Sequence, residues 1–380
     1  MFISKSLLAA CALAGVVSAT VLPIRRIPFD GQYIHPESSN KAVEWWWGQA
    51  IGTPMGNNPP PTLQFLFYQG YPIQVGPKNA SQPEYYMDIH GFFPNGTNFA
   101  LTIPADSGVV TKGSGEEVNG KWGSVGSFHT SKDLRTFAVQ FEAAKYGLTG
   151  SVTLSSTGNA AHHFGCNTTH GPYFSSAVKG QKSLSTAEDL LFNKLGWATT
   201  IPGGNAQVAV KIGDTQLSFT GAGYHDANWA PAPLNKIVSS WSFGSAQVGP
   251  YDLSYVLAQP LGSSNPRVLN TGYLSRNGVV LQNQCSVNGT KTKDMSLIKP
   301  YGSQMQAGVT VPKGYVIEYV LANGESFSFN LTSSGVNPSQ NIYHRWVGTA
   351  VGGKKGEKPF EGSTVFEWLN PGLVPYSPVN

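Results

Sequence analysis

The sequence predicts an all-β protein of two mostly antiparallel domains with one short helix near residues 186–195. Three observations carry that expectation. Apolar and polar side chains alternate in segment after segment, as on strands with one buried face. Asn-Gly dipeptides suited to hairpin turns recur at Asn95, Asn119, Asn277, Asn288 and Asn323. One segment breaks the pattern: Ser185-Thr-Ala-Glu188 has the spacing of a capping box, with Leu190, Leu191 and Leu195 for an apolar face and Gly196 as a stop. Hairpins spread through both halves favour meanders or barrels over a parallel sheet.

In chain order, Val43-Glu-Trp-Trp-Trp-Gly48 comes first. On a strand Trp45 and Trp47 share one face and Trp46 takes the other, so both faces need an apolar partner, in a core or around a ligand. Thr62–Tyr68 and Tyr85–Gly91 follow as half-buried strands, the second with Tyr86, Asp88 and His90 on one face. Phe137, Val139 and Phe141, then Val152 and Leu154, then Ala206, Val208, Val210 and Ile212 make further stripes, and Tyr315, Ile317 and Tyr319 another before Asn323-Gly324.

Between the halves, Phe219-Thr-Gly-Ala-Gly-Tyr-His-Asp-Ala-Asn-Trp229 runs an apolar strand into two close glycines. Gly221 and Gly223 permit bends or close approaches that a Cβ resists. Tyr224, His225, Asp226, Asn228 and Trp229 are then either turned toward a cavity or used to plug the junction of two sheets.

A chain of 380 residues accommodates two cores, here placed at 20–220 and 221–380 after a leader at 1–19. The leader is read from Lys5, the apolar run Leu7 to Val17 and the small residues Val17-Ser18-Ala19, the layout of a secretory signal peptide. Arg25-Arg26 is a second processing point or a solvated pair. Without the leader, Cys11 is lost and Cys166 and Cys285 remain, most simply as one disulfide, otherwise as two buried thiols.

Only 12% of residues are charged, about half the typical share. Sequons at Asn79, Asn95, Asn167, Asn288 and Asn330 supply N-glycans that would keep such a surface wet. The expected location is the secretory pathway: secreted, or in a secretory or vacuolar lumen. The net charge of +4 gathers into no basic stripe, since Lys354, Lys355 and Lys358 stand beside Glu357 and Glu361, so nucleic acid is not an expected partner. No later apolar run has the length of a membrane helix.

The chain has no Gly-x-Ser-x-Gly elbow and no phosphate- or dinucleotide-binding signature; Gly113-Ser-Gly115 reads as a loop. His162-His163 and His170 suggest a metal, but adjacent strand residues face opposite ways, and neither metal nor cofactor is expected. What remains are aromatics and single acid/base groups near strand ends: Tyr224, His225, Asp226, Trp241, Tyr343, His344, Trp346 and Glu367. They suit the holding of an apolar, polyunsaturated small molecule better than the attack on an ester.

With Glu44-Trp-Trp-Trp47, Gly221-Ala-Gly-Tyr-His-Asp-Ala-Asn-Trp229 and Glu367-Trp-Leu-Asn370 in view, the chain resembles the fungal Diels–Alderase and hydratase group, related to bacterial hydroxyneurosporene synthase. The resemblance implies double lipocalin-like architecture: an N-terminal β-sandwich or lipocalin-like domain, a C-terminal lipocalin-like barrel, and a substrate pocket between or within them. Ala227 and Ala230 depart from the group's pattern, which removes any second acid/base group at 227.

A leader with sequons looks like the secreted branch, which includes hetero-Diels–Alderases of tropolonic sesquiterpene biosynthesis and kievitone hydratase. The resemblance thus implies a pericyclase joining a tropolone-derived quinone methide to a humulene-type alkene; a hydratase of an isoprenoid alkene and a non-catalytic carrier are the alternatives. A cycloaddition needs partners posed in one orientation, whereas a hydration needs a strong placed acid such as Asp226 or Glu367. The residues expected as pocket walls are Trp45, Trp47, Tyr68, Trp241 and Trp346. Tyr224, His225 and Asp226 are expected to orient or protonate the substrate, with Lys358 as a donor on a C-terminal loop.

Overall fold

A computed structural model of the chain describes residues 43–73, 83–157, 161–166, 171–181, 183–262, 267–288 and 294–376. The expected leader, Arg25-Arg26, Asn79, Asn167 and His170 lie outside these residues.

The first sheet takes β1 (Val43–Ile51), β2 (Thr62–Gln69), β3 (Tyr85–Phe92), β4 (Asn98–Ala105), β5 (Gly108–Lys112), β6 (Val118–Trp122), β7 (Gly126–Thr130), β8 (Thr136–Ala143), β9 (Leu148–Ser156), the short β10 (His163–Phe164), β11 (Gly196–Ile212) and β12 (Thr215–Ala230). Its strands lie in the order β4-β3-β2-β1-β12-β11-β9-β8-β7-β6-β5, with β10 beside β11. The second sheet takes β13 (Val238–Val248), β14 (Tyr251–Pro260), β15 (Leu269–Arg276), β16 (Val279–Val287), β17 (Met295–Tyr301), β20 (Gly314–Val320), β21 (Ser326–Gln340), β22 (Tyr343–Lys354) and β23 (Phe360–Leu369), while β18 (Gln304–Gln306) and β19 (Val309–Val311) make a separate ribbon. The end strands of each large sheet are neighbours among that sheet's strands in chain order, so both sheets curl into nearly closed barrels, the double lipocalin-like arrangement.

Strand alternation fills each barrel. Phe137, Val139 and Phe141 point into the first, with Trp46, Phe65, Trp122, Val208 and Val210; Tyr315, Ile317 and Tyr319 point into the second, with Trp346 and Phe366. Truncating an indole as enclosed as Trp46 costs about 3–5 kcal/mol.

The turn chemistry divides. At Asn277-Gly278 both residues have positive φ, 51° and 73°, as a type I′ hairpin requires. At Asn95-Gly96 and Asn323-Gly324 only the glycine does, at 84° and 90°. Asn119-Gly120 is no turn at all: it sits inside β6, where Gly120 leaves room for the Phe128 ring.

The one α-helix among the described residues follows its cap. Ser185 accepts from the Glu188 amide, the Glu188 side chain accepts from the Ser185 amide, and α1 (Thr186–Asp189) continues as a π-helical turn through Lys194.

The expected boundary at 220/221 falls inside β12. That strand runs unbroken to Ala230 because it stays hydrogen-bonded to β1 on one side and β11 on the other; the second sheet begins at Val238. The two lobes are tied by Gln49 Nε2 donating to Ser245 Oγ (2.8 Å), by Asn337 Nδ2 donating to the Gly91 and Phe99 carbonyls (3.0 and 2.7 Å), and by a Cys166–Cys285 disulfide. A third apolar core fills the seam between the barrels.

Candidate active site

Because β1 alternates, Trp46 enters the first barrel, edge-on to Trp122, while Trp45 and Trp47 face the seam. Register extends this face sideways. Tyr68 on β2 lies opposite Trp45, Tyr86 on β3 opposite Tyr68, and Asp88 opposite Leu66, which itself lies opposite Trp47. The Tyr68 and Tyr86 rings stack at 4.7 Å, and Tyr71 stacks on Tyr86 at 5.4 Å.

The second lobe supplies the opposite wall: Tyr343 and Arg345 from β22, Glu367 and Leu369 from β23. Between these walls is a cleft of about 260 Å³, rimmed by Ile73, Leu234, Pro338 and Gln340. A larger hollow of about 590 Å³ on the outer face of β5–β8 is lined by groups such as Thr111, Asn119, Lys121 and Gln140 and has no comparable convergence of acid, base and aromatic groups.

Arg345 organises the chemistry of the cleft. It is 2% exposed, its Nε donates to Glu367 Oε2 (3.3 Å), Nη1 donates to Gln64 Oε1 (3.1 Å), Nη2 donates to the Tyr343 hydroxyl, and its guanidinium lies 4.1 Å from the Trp47 ring centroid. The Tyr343 hydroxyl in turn donates to Glu367. Burial alone would favour a neutral guanidine, but Tyr343, Glu367, Tyr68 and Asp88 hold it protonated, above its ordinary range. Burial pushes the Tyr343 phenol well up, against the pull of Arg345 and with the help of Glu367.

Asp88 and His90 face the cleft from β3. Asp88 Oδ2 meets His90 Nε2 at 3.0 Å and Oδ1 accepts from Thr102 Oγ1 at 2.9 Å. Burial would raise the Asp88 carboxyl, yet the His90 and Thr102 hydrogen bonds and the Arg345 charge bring it below its usual value. An anion therefore persists on this wall.

The central motif divides between the two faces of β12. Tyr224, Asp226 and Asn228 point to the seam; His225, Ala227 and Trp229 point the other way. Tyr224 donates to Asp226 Oδ2 (2.6 Å) beside Thr199 Oγ1 (3.3 Å), which accepts from Trp197 Nε1 (2.9 Å). Burial pushes the Asp226 carboxyl well above the carboxylate range, the Tyr224 bond opposing and Glu367 adding to the rise. His225 instead stacks on Phe137 at 3.6 Å inside the first barrel and shares its Nδ1 with the Trp47 carbonyl at 2.6 Å. Burial lowers its pKa to about 3, so it stands neutral. The three residues do not converge on one site.

The other expected site residues also separate. Trp45, Trp47 and Tyr68 line the cleft. Trp241 stacks on Trp197 at 5.6 Å in the seam core, and Trp346 is inside the second barrel against Phe366, its Nε1 donating to Gln306. Lys358 is exposed in the β22–β23 turn, at the opposite end of that hairpin from Tyr343 and Glu367. Among the sequons, Asn95, Asn288 and Asn330 are exposed. Asp88, His90 and Arg345 had no place among the expected site residues, although Asp88 and His90 share a strand face with Tyr86.

The sequence pattern of the Diels-Alderase-like family matches residues 77–370. The quinolone epoxide rearrangement protein penF of Penicillium thymicola is 25% identical over 89% of this chain and 88% of its own length. Its counterpart asqO of Emericella nidulans is 28% identical over 88% and 84%. The Diels-Alderase poxQ of Penicillium oxalicum is 28% identical over 46% of this chain and 41% of its own. Among solved structures, CghA with Sch210972 superposes with a TM-score of 0.66 at 20% identity, covering 87% of this chain and 88% of CghA. Kievitone hydratase from Nectria haematococca gives 0.53 at 12% identity, covering 93% and 95%; at such identities the likeness is one of fold. With that pattern running from β3 through β23, over most of the chain, the chain belongs to the Diels-Alderase-like family.

Proposed function

We propose that this protein is an enzyme that binds an apolar, unsaturated, oxygen-bearing small molecule in the inter-lobe cleft and accelerates a pericyclic ring closure. The specific reaction we favour is a hetero-Diels–Alder cycloaddition between a quinone-methide heterodiene and a terpene alkene of humulene type, as in fungal secondary metabolism. The observation that carries this reading is the pairing of walls: Trp45, Trp47, Tyr68 and Tyr86 on one side, the Arg345–Glu367–Tyr343 set on the other. Flat aromatic walls restrict how two unsaturated partners lie, and holding them in one geometry replaces much of the entropy lost in a bimolecular encounter. A fixed cation and phenols near the guest's oxygen lower the energy of a diene that gains negative charge there. No covalent intermediate is needed.

The experiment supplies purified protein with a quinone methide released in situ and humulene, and follows rate and product stereochemistry. A faster reaction and one dominant stereoisomer are expected. A racemic product at the uncatalysed rate overturns the reading, and binding without acceleration would make the protein a carrier.

A second reading, isomerisation of an epoxide, is favoured by the relatives penF and asqO and by carboxyl groups on opposite walls, Asp88 and Glu367. There, a proton from a cleft phenol, Tyr68 or Tyr86, passes to the epoxide oxygen as its C–O bond breaks, the carboxylates offset the cation that develops on carbon, and the proton that the carbon skeleton then loses restores the phenol. Turnover of an aryl-substituted quinolone epoxide, abolished by Glu367→Gln with the fold intact, would decide for it over the cycloaddition.

We also propose a location in the secretory pathway. The Cys166–Cys285 disulfide supports it, since such bonds persist in oxidising compartments. A mobility shift of the natural protein on endoglycosidase treatment is the check.

A further inference from the structure

We propose that Tyr68 and Tyr86 form a two-donor site for an acceptor oxygen of the guest, so that the cleft selects ligands with an apolar body and a carbonyl-type oxygen at one end. The proposal rests on the cleft being the guest site.

The geometry points there by elimination. Arg345, 2% exposed, is held by three of its five N–H groups on Glu367, Gln64 and Tyr343, and the Tyr343 hydroxyl donates to Glu367. Thr102 donates to Asp88, the His90 Nε2 is taken up by the same carboxylate, and the His90 Nδ1, without a partner among the described residues, is sealed from solvent. The Tyr71 hydroxyl is held by the Pro83 carbonyl. Two cleft-lining phenols are left. Tyr68 and Tyr86 are each 8% exposed and their hydroxyls make no hydrogen bond among the described residues, yet these phenol oxygens are not among the atoms sealed from solvent without a partner. What little of them is open faces the cleft they line.

The two are also paired by the fold. They are direct cross-strand partners on β2 and β3, with rings parallel to within 18° and centroids 4.7 Å apart, which places the hydroxyls side by side. Burial and the nearby Asp88 carboxylate keep both phenols protonated, hence donors. Two adjacent neutral donors suit one acceptor with two lone pairs, the arrangement that stabilises charge growing on a carbonyl oxygen. The Asp88 carboxylate beside them disfavours a guest that arrives as a full anion.

The test uses the full chain and a probe pair of matched shape, the flat tricyclic ketone fluorenone and its hydrocarbon analogue fluorene. Affinity is read by quenching of tryptophan emission, Trp45 and Trp47 being in the cleft wall, and the fluorenone carbonyl stretch by infrared difference spectroscopy. Each engaged hydroxyl is expected to favour the ketone by about two- to tenfold. The carbonyl band should move to lower frequency on binding. Tyr68→Phe and Tyr86→Phe keep both rings, so each is expected to fold and to lose part of the preference, and the double variant all of it together with the band shift. An unchanged preference and band in the double variant overturns the proposal. Equal binding of ketone and hydrocarbon by the wild type sinks the phenol pair but leaves the cleft as guest site, whereas failure of both probes to bind counts against the cleft itself and the pair with it.

Discussion

The guanidinium of Arg345, from the second lobe, lies 4.1 Å from the ring centroid of Trp47, from the first. The contact joins a buried cation to the wall expected to hold the guest, and it makes the two lobes interdependent at the site. Glu367 on the neighbouring strand, opposite Arg345 in register, offsets the charge, and Gln64 across the seam satisfies the far nitrogen.

Arg345→Ala is therefore expected to destabilise the protein by about 3–5 kcal/mol, because it leaves the Glu367 carboxylate buried without its cation. Replacing both partners by apolar residues of similar volume, Arg345→Met with Glu367→Leu, should recover most of that stability while leaving no activity. Urea denaturation of the three proteins measures this, and a double variant no more stable than Arg345→Ala would contradict the account.

The Cys166–Cys285 disulfide closes a separation of 119 residues and fastens the segment after β10 to β16 of the other lobe. Loops of that length give a large entropic effect on the unfolded chain, and a loss of about 2–4 kcal/mol is expected for the paired change Cys166→Ser with Cys285→Ser. Thermal unfolding of the variant beside the wild type checks it. A transition that splits in two would show that the lobes then melt separately.

Parity was legible in the sequence, and the location of the seam was not. Alternation separated Trp45 and Trp47 from Trp46 and put Tyr86, Asp88 and His90 on one face, as the strands have them. The same rule splits Tyr343-His344-Arg345-Trp346 into two sets without saying which meets the other lobe. The expectation favoured Trp346, the largest aromatic, whereas Arg345 has the seam and Trp346 the barrel interior. Two of the partners that make a buried arginine tolerable, Glu367 and Gln64, are 22 and 281 residues away, so nothing local distinguishes it from a solvated one. Likewise Tyr224-His225-Asp226 looked like one constellation because strand continuity through Gly221 and Gly223 was hidden by the glycines themselves.

Those glycines answer to close approach rather than to a bend. A Cβ on Gly221 would stand 1.9 Å from the Ile51 carbonyl oxygen, a backbone atom that cannot swing aside, while one on Gly223 would meet the Leu154 side chain at 3.0 Å. Gly221→Ala is expected to lower stability by about 1–3 kcal/mol and Gly223→Ala by clearly less. Chemical denaturation of both variants orders them; the reverse order would mean that β12 is free to shift against β1.

Asp252 provides a pH signature that no cleft group obscures. It is 7% exposed, sits against Gly203 of the first lobe, and accepts from Ser275 Oγ at 3.3 Å. Burial raises its pKa from 3.8 to about 6, the Ser275 and Gln247 hydrogen bonds only partly opposing the rise. Between those values the folded chain binds more protons at this carboxyl than the unfolded chain does. Its favourable contribution is complete below about pH 4 and is lost as pH rises through about 6. Asp252→Asn keeps the shape and an acceptor for Ser275 but cannot ionise. Relative to wild type, this variant should gain roughly 2–3 kcal/mol as the pH is raised across that window and hold the gain above it. Unfolding free energies of the two proteins between pH 4 and 8 provide the measurement. A difference that stays flat, or runs in the wild type's favour with rising pH, would mean that the Asp252 carboxylate is paired or hydrated in the folded protein.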